Sequence, residues 1–315
     1  MNLLTNPLAT PDQLYQRRSF GALPIELQDA IFFSAQCLTQ AAGILLELPQ
    51  SITAQANVVL ARFWLEEQVL AHEFSDASAA ALWLVAKVGP RPVVPRDLSN
   101  VYSYLLSSSS SFFHPNTSPP RIENPHAYFQ TESSYHAFRE RILALEERIL
   151  YALSFDLRVA LPHPLAITYL QALEFLHVRK EKISRRVLEY LNTALLSPQM
   201  LYLTSQPNAL AVAAIYNAAK DIGAKMPECE WWEVLDVDRE ELGFLVVGMR
   251  SVDGWARKMR EDVPKMAERM ITRADIQKEL TKLGVAEISE KRALDAEEEM
   301  ARQMDEKMAE MEEGN

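Results

Sequence analysis

Apolar residues recur at helical spacing through most of the chain, and no stretch alternates apolar and polar positions for long. The pattern predicts an all-α protein. A first main helix is expected over about Ile25–Leu48, with Ile31, Cys37, Leu38, Ala41, Ala42, Leu45 and Leu46 near one broad face, and Pro49 stops it. A second, about Ile52–Leu65, carries Ile52, Ala56, Val59, Leu60 and Phe63 on its stripe. The third, Ala79–Gly89, is entered through Ser75-Asp76 and ended by Gly89-Pro90. A short helix from Pro95 to Leu106 shows Val101, Tyr104 and Leu105. A strong one, capped by Thr131 or Ser133 and running to about Leu153, shows Phe138, Ile142, Leu145, Ile149, Leu150 and Leu153. Upstream, Thr10-Pro11-Asp12-Gln13 reads as a cap followed by proline at the first helical position. Beyond the hinge Leu161-Pro162-His163-Pro164, helices are expected over about 165–178, 182–197, 207–222, 229–235 and 238–258, with Pro198, Pro207 and Pro227 in the gaps.

The third helix organises the rest. It is built of small residues, which let neighbouring helices come close, and it carries Lys87 near its end. The same sentence recurs as Ala213–Gly223. Aligning Lys87 with Lys220 also pairs Ala80 with Ala213, Ala81 with Ala214, Leu82 with Ile215, Trp83 with Tyr216 and Ala86 with Ala219, a register of 133 residues. Two copies of one five-helix unit follow from that register.

The expected organisation is therefore a leader (1–24), a first unit (25–160), a second unit (161–260) and a charged tail (261–315). Within the first unit, the serine run Ser107–Ser111 and Pro115, Pro119, Pro120 and Pro125 mark 107–130 as a long insertion loop. The length of 315 residues suits two cores. The net charge of −11 is uneven: residues 284–315 hold eleven acids against four bases, so the body is only mildly acidic and is not expected to bind nucleic acid. In that stretch Met300, Met304, Met308 and Met311 keep helical spacing; it reads as a solvated acidic helix or disordered tail, or as a docking helix for a partner. Two cysteines, Cys37 and Cys229, make no disulfide framework, and no apolar run approaches membrane-spanning length, so the expectation is a soluble intracellular protein.

Catalytic chemistry has no foothold in these residues. There is no HExxH, no DDxxD-type metal motif, and no Ser/His/Asp or Cys/His set at a recognisable spacing. His72-Glu73 and His163 stand alone. No catalytic residue, metal ligand or cofactor is expected. By chemistry alone, Lys87 reads first as a lysine laying its stem along a core and ending in water. Trp83 and Phe155 read as core, Glu146 beside Glu147 as a solvated helix face, and Lys220 as structural.

Several runs change that picture. LTQAAGILLELPQ (Leu38–Gln50), AALWLVAKV (Ala80–Val88), RDLSNVY (Arg96–Tyr102), LEERILYALSFDLRVALPHPL (Leu145–Leu165) and YLQALE (Tyr169–Glu174) together resemble the L-type cyclins, and the leader NPLATPDQL resembles the openings of fungal members. The resemblance covers about 25–260 and implies tandem cyclin folds. It implies a regulatory subunit, not an enzyme, that forms a heterodimer with a cyclin-dependent kinase in RNA polymerase II transcription and pre-mRNA splicing. Splicing or transcription factors are further partners, the location is nuclear, and no membrane or direct nucleic-acid contact is implied. The family's kinase-contacting lysine falls on Lys87 and its glutamate on Glu146, nine residues before the anchor Phe155. Leu84 and Val88 share a face with Lys87, and Leu157 extends the apolar patch beyond Phe155. Two departures stand out. The family usually has two acids shortly after the lysine, where this chain has Gly89 and Pro90. Many animal members end in an arginine–serine tail, where this chain is acidic. The first helix, AIFFSAQCL (Ala30–Leu38), also lacks the substrate-docking pattern of some cell-cycle cyclins. Arg179, Lys180, Lys182, Arg185 and Arg186 form a basic run that reads as an import signal or, more simply, as surface. Two other readings remain: a transcription-initiation-factor-like clamp on DNA, which should bring paired cysteines and a basic face that this chain lacks, and a helical scaffold that binds without activating.

Overall fold

The computed structural model describes residues 4–19, 23–107, 110, 128–175, 180–262 and 270–282. All regular elements among them are helical. The helices are α1 (Pro11–Ser19), α2 (Ile25–Leu45), α3 (Gln50–Glu66), α4 (Phe74–Val88), α5 (Pro95–Leu105), α6 (Glu132–Ala152), α7 (Pro162–Ala172), α8 (Lys180–Leu195), α9 (Leu201–Thr204), α10 (Pro207–Ile222), α11 (Arg239–Asp262) and α12 (Arg273–Lys282).

Helix α4 is the axis of the first unit because its side chains are short. Ala77, Ala79, Ala80, Ala81 and Ala86 are buried, and α2, α3, α5 and α6 all pack against it. Helix α10 does the same for the second unit, with Ala209, Ala211, Ala213, Ala214, Ala218 and Ala219 buried against α7, α8, α9 and α11. The two axes begin in the sequence register: Phe74 and Pro207 are 133 residues apart. Their ends differ. Gly223 closes α10 in the left-handed conformation (φ 65°), whereas Gly89 leaves α4 extended, where an added Cβ would lie 2.9 Å from the Val85 carbonyl oxygen.

Three details depart from the sequence reading. The stretch 229–235 is no helix beyond a 3-10 turn at Glu233–Leu235, and the short α9, which no periodic pattern announces, packs against α3, α8 and α10. The stretch expected to open the charged tail contains α12, and Met270, Ile271, Ile276 and Leu280 are buried. It returns to the first unit: Ser34 Oγ donates to Met270 Sδ (3.0 Å) and Arg273 Nη1 donates to the Ala71 carbonyl (3.0 Å). The methionine stripe at Met300–Met311 and most of the 107–130 insertion lie outside the described residues.

The units are joined by polar contacts as well as apolar ones. Asn6, in the leader, is buried and clasps both sides. Its backbone N–H donates to Gln206 Oε1 (3.0 Å), and Gln206 Nε2 donates back to the Asn6 carbonyl (3.0 Å). Its side chain pairs with Ala160 in the same two-way manner (2.8 and 2.7 Å). Asn192 Oδ1 accepts from Gln50 Nε2 (2.9 Å) and lies 3.0 Å from His163 Nε2. His163 thus backs, from within the second unit, the asparagine that bonds across to the first, and burial pushes its pKa down. His72 stacks on Phe63 (5.9 Å), again a packing role. Among the described residues no group of three His, Cys, Asp or Glu could hold a metal ion, and no helix is long and apolar enough to cross a membrane.

Candidate docking site at the end of the first alanine-rich helix

The C-terminal turn of α4 faces α6, and two side chains one turn apart reach the same carboxylate. Lys87 Nζ lies 2.8 Å from Glu146 Oε1, and Trp83 Nε1–H donates to Glu146 Oε2 (3.2 Å). The arrangement is lopsided: the lysine side chain is 54% exposed and the glutamate side chain 9%. Glu146 sits on the inward side of α6 beside Ile142, Leu145 and Ile149, while Glu147 points to solvent. A lone buried carboxylate is costly, so the two donors from α4 are what permit it there. An ammonium has three N–H donors, and one is spent on Glu146.

Exposed apolar side chains follow each half of the pair along the chain, Val88 next to Lys87 and Phe155 nine residues after Glu146. Val88 is 68% exposed and Phe155 62%. Phe155 is displayed by a backbone turn at the end of α6. Ser154 and Phe155 both take positive φ (48° and 62°), and the turn is held by the Phe155 N–H donating to the Leu150 carbonyl (2.8 Å). Left-handed conformations at non-glycine residues cost roughly 1–2 kcal/mol each. The structure meets that cost at a point where the product is a solvent-facing aromatic ring. Tyr151, one turn earlier, packs edge-on against Phe155 at 5.6 Å and is itself exposed.

The link after the turn is pinned from below. Gln55 Nε2 donates to the Leu157 carbonyl (2.8 Å), and Arg62 Nη1 donates to the Arg158 carbonyl (2.9 Å). Burial pushes the Arg62 pKa down, with Asp156 opposing. Asp156 is held below the usual carboxylate range, chiefly by the Arg158 side chain (2.9 Å). At the other flank Arg91 reaches Glu47 at 3.9 Å, tying the segment after α4 to the end of α2.

The six expected contact residues therefore separate into layers. Lys87, Val88 and Phe155 reach the surface, and Lys87 meets Glu146 directly. Leu84 does not: it is 2% exposed and belongs to the core, inside the bundle, whereas Val88 is the last residue of α4, where the packing against it ends. Leu157 is half-buried against the core. Two residues were missed. Trp83 was read as core, yet its indole N–H serves Glu146; the signal was its spacing of four from Lys87. Tyr151 carried the same four-residue signal relative to Phe155.

Comparison with known proteins gives the fold and its relatives. No family model matches the chain. It is 29% identical to human Cyclin-L1 over 204 residues, which is 65% of this chain and 36% of that protein. It is 28% identical to Cyclin-L2 of Rattus norvegicus over 239 residues, 76% of this chain and 43% of that protein. The chain thus spans well under half the length of these curated relatives. Among solved structures, it superposes on a chain of the yeast RNA Pol II CTD kinase CTDK-1 complex with a TM-score of 0.61, 14% identity, and coverage of 81% of this chain and 76% of that one. A chain of the CAK complex from Chaetomium thermophilum bound to ATP-gamma-S gives a TM-score of 0.53 at 15% identity, covering 84% and 85%.

Proposed function

We propose that this chain, which carries the tandem cyclin fold and is a relative of the L-type cyclins, is the regulatory subunit of a cyclin-dependent kinase and has no catalytic activity of its own. The kinase acts in RNA polymerase II transcription and pre-mRNA processing, and the pair works in the nucleus. A fold neighbour drawn from an RNA Pol II CTD kinase complex and relatives named as L-type cyclins support that setting.

The observation that carries the reading is the exposed Lys87, anchored by a buried Glu146, with Val88 exposed next to it and the ring of Phe155 displayed at the end of the same helix that supplies Glu146. A partner helix laid across this edge would bury the two aromatic rings and Val88 and offer carbonyl groups to the free ammonium N–H groups. Such contact rotates the kinase's mobile helix inward, completing the Lys–Glu ion pair that holds ATP phosphates and ordering the activation loop. The interface should bury on the order of 2,000 Å² or more.

The test is affinity purification of the full chain from nuclear extract, with the captured kinase identified and assayed on polymerase-tail and splicing-factor peptides. The expected result is a stoichiometric kinase whose activity depends on the chain. Capture without activation would make the chain a scaffold. DNA retention that falls steeply with salt would instead make it a clamp on nucleic acid.

A further inference from the structure

We propose that Trp83 is a positioning residue for partner binding: its indole N–H fixes the Glu146 carboxylate so that Lys87 is presented in a set orientation before any partner arrives. The inference rests on the reading of this surface as the kinase contact, and it assigns a role to a residue whose type and place otherwise look like core.

The argument starts from what a carboxylate in this position needs. Glu146 is buried on α6, so both oxygens want donors from inside the chain. Lys87 supplies one at Oε1, but a lysine is a poor sole anchor. Its stem is long, its side chain is 54% exposed, and water competes for the ammonium. Trp83 supplies the other at Oε2 through a rigid ring that is half-buried and packed against the core. Both donors stand on α4, four residues apart, so they close on the carboxylate from one helix face like two prongs. With Oε2 held, the Glu146 side chain keeps one rotamer, Oε1 keeps one place, and the ammonium is tethered there with two N–H donors unspent. Ordering the pair in the free chain removes that entropy cost from the binding step.

The second unit shows what the same register looks like without this device. Position 216, which matches Trp83, is a tyrosine, and position 220, which matches Lys87, is an exposed lysine. Among the described residues no acid of the adjoining helix pairs with Lys220; α11 places Arg250 at the end of α10 instead.

The experiment uses the full chain and the kinase that it captures from nuclear extract. Trp83→Phe keeps an aromatic ring and removes the N–H. Trp83→Leu removes the ring as well and reports packing. Trp83→Phe is expected to weaken affinity for the captured kinase about five- to thirty-fold, because a buried acceptor loses its donor. Its unfolding midpoint should stay well above that of Trp83→Leu. The effect of Lys87→Ala on affinity should shrink in the Trp83→Phe background, since the two residues act through one carboxylate. In the free chain, the indole N–H resonance of Trp83, identified by its loss in Trp83→Phe, should shift in Glu146→Gln and stay put in Lys220→Ala. Unchanged affinity in Trp83→Phe, additive effects of the two substitutions, or an indole signal indifferent to Glu146→Gln would each overturn the proposal. Should the wild-type chain capture no kinase, the functional reading falls, and the indole response still decides whether the tryptophan holds the carboxylate.

Discussion

The ends of α4 and α10 are built at the same register and wired in opposite ways. At the end of α4 the cation is on the central helix and the acid is on the last helix of the unit: Lys87 on α4, Glu146 on α6. At the end of α10 the acid is on the central helix and the cation on the last: Asp221 on α10, Arg250 on α11, 2.6 Å apart. Arg186 of α8 adds a second arginine at 2.8 Å, and the Tyr190 hydroxyl donates to the same carboxylate (2.7 Å). Arg186 also lies over the Tyr190 ring at 4.6 Å, and Arg250 bonds Asn217 Oδ1 (2.6 Å). The Asp221 side chain is 22% exposed and its acceptors are taken. One helix end is saturated by its own unit. The other leaves a tethered ammonium next to the exposed Val88. On the proposed reading, a duplicated fold need not duplicate a binding site: the backbone supplies the place, and the sign and saturation of one ion pair decide whether the charged group is spent inward or left open.

The sharpest way to break the comparison is to reverse the charge at both matched positions. Lys87→Glu should weaken capture of the kinase by roughly a hundredfold or more, since it places a second acid against Glu146 and removes the donor. Lys220→Glu, at the same register, should leave capture unchanged. Quantitative pull-down of the two variants beside wild type reads both. Equal losses would mean that the second unit also binds through its helix end.

The network at Asp221 should matter for folding instead. Asp221→Ala strips three donors of their common acceptor. The arginines are about two-fifths exposed, so solvent softens the loss, and about 1–3 kcal/mol of unfolding free energy is expected to go. Urea unfolding measures that, with kinase affinity retained once the variant is folded. A stable variant that no longer binds would reverse the roles assigned to the two ends.

A smaller effect follows from pH. Burial alone would push the Asp221 carboxyl up; hydrogen bonds from Tyr190, Arg186 and Arg250 outweigh it and leave its pKa below the ordinary value. A depressed folded pKa contributes stability above the unfolded value of about 3.9, lost as pH falls through the folded one. The gap in urea midpoint between wild type and Asp221→Asn should therefore be full at pH 6 and narrow steadily below about pH 4. A gap that is flat across that range would show that the carboxylate's charge contributes nothing to the network.

Much of this was legible in the chain itself. The alanine runs, the proline breaks and the register of 133 residues predict two helical units with α4 and α10 as their axes, because helical periodicity and close packing of small side chains are local properties of sequence. The same reasoning failed at α9, whose four residues are too few to show a period, and at 229–235, which holds only a 3-10 turn at Glu233–Leu235. Periodicity could not choose between Glu146 and Glu147, put the buried Leu84 on one face with the exposed Lys87, and did not show that Trp83, packed against the core, also bonds Glu146. Those assignments depend on which neighbour lies across a helix interface, a fact no spacing along one helix contains. The sequence determined that a lysine would stand at the end of the first axis. The tertiary structure decided that it would be tethered and left open, because only packing α6 against α4 brings a buried carboxylate within reach of both prongs.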